Sequence, residues 1–294
     1  MLKIITDSAS DLPREYVEAH QLHVIPTPVV IDETDYLDGK TIKTKEFYEI
    51  LDDTKRDVRT YHINPAMFEE AFLSYAEAGI SVIYVCFSTG IAGTFNAANI
   101  AKASVLEQYP SFDLTIIDSK CASIGFGLLV SKLVAMLEHG ASKETIVEAA
   151  GYFISHIRHV FTVHTLTYLI KGGRLSKFKG TLAETLDMKP ILIVDEAGSL
   201  QVIKTVRGRK KSLRALVDYV MENGRELSAQ TIAVCHGEDE EALQFVVQML
   251  DEEIKPKDKL ISTVGCAIGA HTGRGITGIC FLDDSEEKYR EYLG

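Results

Sequence analysis

SVIYVCF, residues 81–87, is apolar at nearly every position. A run of this kind indicates a β-strand that is covered on both faces, as strands are in a parallel sheet with helices on either side. The run is followed directly by STGIAGT, residues 88–94, in which small residues and two glycines lead into a helical pattern at 91–107. Together the two segments predict a central strand of a parallel sheet that ends where a helix begins.

The rest of the first half alternates short β-branched runs with helical patterns. This alternation is typical of a parallel sheet flanked by helices. The strands that we predict cover residues 2–6, 23–31, 80–87 and 113–118. The predicted helices cover residues 44–53, 65–78, 91–107, 124–138 and 142–157.

The second half has a different pattern, because an apolar run at 190–194 and a strand at 200–206 flank the turn-like segment DEAGS, residues 195–199. This spacing predicts a hairpin, and therefore a mixed rather than a purely parallel sheet. Further predicted elements are helices at 209–223 and 238–250 and strands at 231–236, 259–264 and 276–282. We therefore expect an α/β protein with two domains, residues 1–157 and 158–294, and a ligand bound between them.

The composition is that of an ordinary globular protein. The chain has 294 residues, of which 46% are hydrophobic, and 31 basic against 42 acidic residues give a net charge of −11. The negative charge argues against nucleic acid or an anionic membrane as a partner. An odd number of cysteines, five, without a Cys-x-x-Cys pair predicts reduced core thiols, and no long apolar stretch or signal peptide is apparent. We expect a cytoplasmic protein without a membrane segment.

The turn after the central strand is the first candidate binding site. Free backbone N–H groups and the positive end of the helix dipole attract a carboxylate or a phosphate to a helix start. Gly90 and Gly93 would let such a ligand approach the backbone closely. The alternative is that Ser88 or Thr89 only caps the helix, and both interpretations remain open.

The second candidate is a predicted loop at 265–278, which holds five glycines and His271. So many glycines indicate unusual backbone angles or close approach to a ligand. His271 either donates a hydrogen bond to an anion or has a structural role. Thr60 precedes a helix that starts at Asn64 and Pro65, so its hydroxyl is presented at the sheet end where ligands of open α/β folds bind.

Two basic clusters stand out from the acidic background, and they indicate docking of an anionic ligand or protein surface. Solvated helix faces would explain the second cluster nearly as well. The clusters consist of Lys171, Arg174, Lys177 and Lys179, and of Lys204, Arg207, Arg209, Lys210, Lys211 and Arg214. The sequence has no dinucleotide fingerprint, P-loop, zinc-protease motif or nucleophile elbow, so it offers no support for a metal or nucleotide cofactor.

Over essentially its whole length the chain resembles the DegV family of two-domain bacterial proteins. Each matching piece is short, but their order and spacing together are specific. The pieces are ITDSASDLP at 5–13, Thr60, STGIAGT at 88–94, IDS at 117–119, LIKGGRLS at 169–176 and HTGRG at 271–275.

The resemblance implies a non-catalytic fatty-acid-binding protein. A Rossmann-like N-terminal domain and a mixed α/β C-terminal domain would enclose the acyl chain, with the carboxylate between them. Such proteins present a long-chain fatty acid to a separate ATP-dependent kinase subunit, which makes the acyl phosphate. The implied ligand is therefore a fatty acid, with no other cofactor.

Carried over by position, the resemblance assigns two groups of residues in this chain. Arg174, Arg207 and Lys210 would lie near the mouth, facing the phosphate or the partner. The residues that would bind the fatty acid are Thr60, Ser88, Thr89, Gly90, Ala92, Gly93, Thr94, His271, Thr272 and Gly273.

Three departures from the family pattern affect this assignment. Tyr61, His62, Ile63 and Asn64 stand where the family has Ser-Gln-Pro-Ser, and Arg274 stands where it has proline in His-Thr-Gly-Pro-Gly. Ile91-Ala92 replaces Leu-Ser, which removes a hydroxyl from the anion site. Carboxylate binding would then depend on backbone N–H groups, on Thr60, and on His62 or Ser88.

Two further hypotheses come from other classes of protein. A serine hydrolase or acyltransferase would use Ser88 as nucleophile and His271 as base, although no acidic partner for His271 can be named. A subunit similar to those of dihydroxyacetone kinases would bind a small polyol in a polar cavity.

Overall fold

The computed structural model describes residues 1–53, 55–175 and 187–294. Its strands and helices, in chain order, are named β1 to β13 and α1 to α11. The strands are β1 (Leu2–Asp7), β2 (His23–Ile25), β3 (Pro28–Ile31), β4 (Thr34–Leu37), β5 (Val58–Thr60), β6 (Ser81–Cys86), β7 (Leu114–Asp118), β8 (Ile157–Thr162), β9 (Met188–Val194), β10 (Leu200–Arg207), β11 (Thr231–His236), β12 (Asp258–Thr263) and β13 (Thr277–Leu282). The helices are α1 (Arg14–Ala19), α2 (Thr44–Leu51), α3 (Pro65–Glu77), α4 (Thr94–Gln108), α5 (Ser123–Glu138), α6 (Lys143–His156), α7 (Thr167–Lys171), α8 (Arg209–Asn223), α9 (Glu240–Glu253), α10 (Cys266–Thr272) and α11 (Arg290–Leu293).

The first sheet is parallel, with strand order β2-β1-β6-β7. Strand β6 lies between β1 and β7 and is covered on both faces, as its apolar run predicts. Val82, Tyr84 and Cys86 pack in the core formed with α3 and α4. Ile83 and Val85 point to the opposite side and pack in the core formed with α5 and α6.

The predicted strand at 23–31 is two strands in different sheets, which corrects the sequence interpretation. Strand β2 joins the parallel sheet, whereas β3 forms a small antiparallel sheet of order β4-β3-β5. Pro26 and Pro28 lie at the break, and proline has no N–H to donate to a strand ladder. Strand β5 of this small sheet ends at Thr60.

The second sheet is mixed, with strand order β10-β9-β8-β13-β11-β12. Only β11 and β12 pair in parallel, and β9 and β10 form the predicted antiparallel hairpin. Strand β8 was not predicted, because a helical pattern runs up to its first residue, Ile157. The exact domain boundary near residue 158 stays a prediction.

The glycine-rich segment at 265–278 is not a loop throughout, which is a second correction. Residues Cys266–Thr272 form α10, and the tight turn follows at Gly273 and Gly275, both with positive φ. The small residues Ala267, Gly269 and Ala270 let α10 pack closely: a Cβ at Gly269 would lie 2.8 Å from the Tyr48 hydroxyl oxygen. Glycine therefore serves here for close packing as well as for the turn.

Helix α5 is shared by the two halves of the molecule. Phe126 and Leu129 pack in the core of the first sheet, whereas Ile124 and Leu128 pack against the second sheet with Phe161. Within the described part of the chain, no helix is long and apolar enough to cross a membrane.

Candidate functional site

A cavity lies between the two main sheets. Its wall is largely apolar, with Phe87, Ile91 and Ala92 on the side of the first sheet and Phe161 and Leu200 on the side of the second. A concave, mostly apolar wall with a few polar groups is typical of a site that binds a small molecule.

Thr60 and His271 meet at one end of this cavity. Thr60 is the last residue of β5, and its Oγ1 lies 2.6 Å from Nε2 of His271 on α10. Desolvation, with a smaller effect of Arg174, lowers the pKa of His271 to about 4, so the ring is neutral at physiological pH. Its Nδ1 is buried and has no hydrogen-bond partner among the described residues. A side chain at position 172 would overlap the ring, so Gly172 leaves the space that this position of His271 requires.

Helix α10 is anchored by two carboxylates of the first half of the chain. Asp38 accepts hydrogen bonds from the backbone N–H groups of Cys266 and Ala267, at 3.0 and 3.1 Å. Asp11 accepts from the N–H of Gly265 at 2.8 Å. Burial raises the pKa of both carboxyl groups. These bonds fix the start of the helix that carries His271.

The start of α4 faces the same cavity. Helix α4 begins at Thr94 after Gly93, and no side chain of the described residues caps it. Ala92 and Thr94 line the cavity, as does Thr272 at the end of α10. The first N–H groups of a helix have no partner within the helix, so an uncapped start next to a cavity can bind an anion.

Five of the ten residues predicted to bind the ligand are not in the cavity wall. Ser88 Oγ donates to the carbonyl of Gly198 at 2.7 Å and accepts from the N–H of Gly90 at 3.1 Å, so it joins the β6–α4 turn to the β9–β10 hairpin. Thr89 Oγ1 donates to Asp118 at 2.5 Å. The five residues outside the wall are Ser88, Thr89, Gly90, Gly93 and Gly273.

Of the predicted basic contacts, Arg174 lies nearest to the polar end. It lines the cavity and also an outer depression that shares Thr60 and His271 with it. Desolvation lowers the pKa of Arg174, and its guanidinium donates to the carbonyl of Gly172 at 2.7 Å. Arg207 ends β10 and Lys210 lies in the first turn of α8, and neither lines the cavity. Lys177 and Lys179 lie outside the described residues.

Asp7 and His159 are polar residues of the cavity wall that were not assigned to the site from the sequence. Asp7 accepts from the Tyr84 hydroxyl at 2.8 Å and from the N–H of Ala9 at 3.1 Å, and burial raises its pKa to about 6. His159 lies on the unpredicted strand β8. Asp7 could have been predicted from its position at the end of β1, where ligands of open α/β folds bind. His159 could have been predicted only if the segment IRHVFT, residues 157–162, had been recognised as a strand.

The described residues hold no cluster of three or more His, Cys, Asp or Glu side chains suited to a metal ion. The cavity wall offers hydroxyl, imidazole, guanidinium, carboxyl and backbone N–H groups beside an apolar surface. Such an arrangement suits a ligand with a long apolar part and one anionic end.

Comparison with known proteins agrees with this arrangement. The model of the DegV family, described as an uncharacterised protein family, matches residues 1–284. A DegV domain-containing protein of Clostridium perfringens is 35% identical over 286 residues, which are 97% of this chain and 98% of that protein. A second one, from Caldanaerobacter subterraneus, is 34% identical and covers 95% of this chain and 98% of its own length.

Solved structures of similar proteins share the fold. A stearic acid-binding protein from Eubacterium ventriosum has a TM-score of 0.85 and 30% identity, covering 95% of this chain and 97% of its own. DegV from Bacillus subtilis, a fatty acid binding protein, has a TM-score of 0.82 and 27% identity, covering 95% and 98%. With a family model that spans nearly all of its length and relatives above 30% identity, this chain belongs to the DegV family.

Proposed function

We propose that this protein binds a long-chain fatty acid in the cavity between its sheets and presents the carboxylate to a separate ATP-dependent kinase. The observation that carries the proposal is the apolar cavity that ends at the Thr60–His271 pair and the uncapped start of α4. Fatty acid binding by the similar proteins from Eubacterium ventriosum and Bacillus subtilis supports it.

The apolar wall supplies the larger part of the affinity in this proposal. Burial of a methylene group is worth about 0.8 kcal/mol, so an acyl chain of some sixteen carbons offers on the order of 10 kcal/mol. That is enough to offset the loss of translational freedom and the desolvation of one hydrogen-bonded carboxylate. The polar end then sets the orientation of the ligand.

The carboxylate is held by hydrogen bonds from neutral donors. Because the neutral His271 ring can donate from Nε2 to Thr60 Oγ1, the hydroxyl hydrogen of Thr60 is left to point at the ligand. The N–H groups at the start of α4 supply further donors beside Ala92, where the family pattern has a serine. Arg174 lies at the outer side of the same end, where it would meet a phosphoryl group on the carboxylate.

The transfer of phosphate belongs to the partner in this proposal, and the protein itself is a non-catalytic carrier. The sequence contains no phosphate-binding loop of its own. The outer depression that shares Thr60, His271 and Arg174 with the cavity has more basic than acidic side chains, which suits an anionic nucleotide or an acidic protein surface. The basic ones are Arg56, Arg59, Lys171 and Arg174, and the acidic ones are Asp53 and Asp57.

The experiment is to identify what the purified protein binds. We expect mass spectrometry of the denatured protein to release a fatty acid, and the delipidated protein to take up labelled palmitate or oleate at one equivalent. A protein that is empty and also takes up neither acid would refute the proposal. Kinase presentation is tested separately, by acyl-phosphate formation when a DegV-dependent kinase and ATP are added to the loaded protein.

The alternative of a serine hydrolase or acyltransferase finds little support in the geometry. Ser88 Oγ is buried and donates to the carbonyl of Gly198, while Nε2 of His271 is paired with Thr60. A histidine with a pKa lowered to about 4 is also a weak general base at neutral pH. Labelling of Ser88 by a fluorophosphonate probe would revive this alternative.

A further inference from the structure

His159 places a single polar ring in the wall of the cavity. The residue is 5% exposed and is one of the residues that line the cavity. It lies on β8, a strand inside the second sheet, opposite Cys280 of β13. None of the roles assigned above to the Thr60–His271 end involves this residue.

The hydrogen bond to one nitrogen of His159 decides where its proton lies. The N–H of Ala122 donates to Nε2 at 3.3 Å, so Nε2 acts as the acceptor. Burial lowers the pKa of this ring to about 3, so it is neutral and carries one proton. A neutral imidazole that accepts at Nε2 carries its proton on Nδ1.

The Nδ1–H group has no protein acceptor within the described ranges. Nδ1 of His271 is fully buried and has no hydrogen-bond partner among the described residues. Nδ1 of His159 differs from it, because it is not one of the fully buried atoms without a partner. Because no hydrogen bond of His159 Nδ1 is found among the described residues either, this nitrogen keeps some accessible surface, and the residue to which it belongs lines the cavity. An N–H group in an apolar cavity is unfavourable unless the ligand supplies an acceptor.

The structure makes room for this ring. A side chain at position 125 would overlap His159 Nε2, so Gly125, inside the first turn of α5, leaves the space that the imidazole occupies. The ring is therefore held between a helix start and the sheet, which fixes the direction of its free N–H. An apolar residue at position 159 would fill this space without an unpartnered donor.

His159 acts away from the carboxylate end. The outer depression at the mouth shares Thr60, Arg174 and His271 with the cavity, but His159 lines only the cavity. With a carboxylate at Thr60, we place the His159 ring beside the hydrocarbon part of the ligand.

We propose that the preferred ligand is a fatty acid with an oxygen acceptor, as a hydroxyl or keto group, on the carbon that lies against the Nδ1–H of His159. The inference rests on the proposed function and narrows its ligand class. The ligand oxygen completes the hydrogen bonding of a donor that a plain hydrocarbon chain leaves without a partner. His159 is thus a specificity-determining residue.

The test compares stearate with a panel of hydroxystearates that carry the hydroxyl on successive carbons. We expect wild-type protein to bind one positional isomer about tenfold more tightly than its neighbours, since only one carbon lies within reach of Nδ1. The keto acid with oxygen at that carbon should bind as tightly, because the site requires only an acceptor. In His159→Leu the peak should disappear, so that the positional isomers bind with equal affinity.

Each other outcome contradicts the inference in a recognisable way. A flat profile in the wild type, or a peak that persists in His159→Leu, means that His159 does not recognise the ligand. Tight binding of the hydroxy acid without the keto acid means that the ring accepts rather than donates. If the leucine variant fails to fold, the same comparison is made with His159→Phe, which keeps a ring at this position and removes the donor. Failure of stearate and of every isomer to bind would instead refute the proposed function itself.

Discussion

In the proposed function, Thr60 is the residue on which the orientation of the fatty acid depends most directly. Its hydroxyl is the only part of the side chain that can donate to a carboxylate, and His271 holds that hydroxyl from behind. Replacement by valine keeps the shape and removes the donor.

We expect Thr60→Val to weaken fatty acid binding about tenfold, as one hydrogen bond to a charged group is lost. Fluorescence competition with a labelled acid measures the change. Thr34→Val, at an exposed position of β4, is the matched control and should bind as the wild type does. Equal affinities of Thr60→Val and Thr34→Val would remove Thr60 from the site.

Asp7 gives a prediction for the pH dependence of stability. Burial raises its pKa from 3.8 to about 6, so the folded state binds this proton more tightly than the unfolded state does. Its contribution to stability is therefore full below pH 4 and is lost as the pH rises through 6.

The quantity to compare is the free energy of unfolding of the wild type minus that of Asp7→Asn. We expect this difference to fall by up to about 3 kcal/mol as the pH rises from 4 to 7. Urea denaturation of the two proteins across that range measures the difference. A difference that stays constant, or that grows with pH, would contradict the prediction.

Among the elements, the β9–β10 hairpin closes one side of the cavity. Its turn touches the β6–α4 turn through the bond from Ser88 Oγ to the carbonyl of Gly198. Gly198 has a φ of +78°, and an added Cβ would overlap Ser88 Oγ. Residues Val194 and Leu200, on either side of this turn, line the cavity.

We expect Gly198→Ala to push the hairpin away and to speed release of the fatty acid several-fold. Stopped-flow displacement of a bound fluorescent acid measures the rate. Gly140→Ala is the matched control, because Gly140 has a φ of +82° and no atom within 4 Å of the added Cβ. Gly140→Ala introduces a comparable backbone strain but no overlap with another residue. Equal release rates in Gly198→Ala and Gly140→Ala would therefore contradict the role of the hairpin.

The sequence predicted elements best where one local rule decided their structure. Strand β6 and the β9–β10 hairpin were confirmed. The apolar run at 81–87 indicates a buried strand, and the turn segment at 195–199 indicates a hairpin between the strands on either side of it. Strand β8 and helix α10 were missed, because a short strand after a helix and a glycine-rich helix are stabilised by neighbours distant in sequence. The Thr60–His271 pair joins residues 211 positions apart, so only the family resemblance could suggest it.

In the whole molecule, a buried ion pair ties the C-terminal segment to the first half of the chain. Lys132 of α5 is 5% exposed and pairs with Glu286, and burial lowers the pKa of the lysine. Loss of one partner would leave the other charge buried and uncompensated.

We expect Glu286→Gln to lower the free energy of unfolding by roughly 3 kcal/mol, whereas Lys132→Met with Glu286→Leu should lie near the wild type. Chemical denaturation of both variants measures the effect. Glu148→Gln, at the exposed pair with Lys288, is the control and should change stability by less than about 1 kcal/mol. A double variant as unstable as Glu286→Gln would contradict this account.

Helix α5 has a consequence for how such a chain can change over generations. Because its two sides complete the cores of both sheets, a substitution on one side alters the fit of strands that lie far away in the gene. Neither half of the molecule can then be exchanged for that of a distant homologue unless α5 is changed as well. The two halves must be inherited as a unit, and new ligand preferences have to arise by changes in the lining rather than by shuffling of modules.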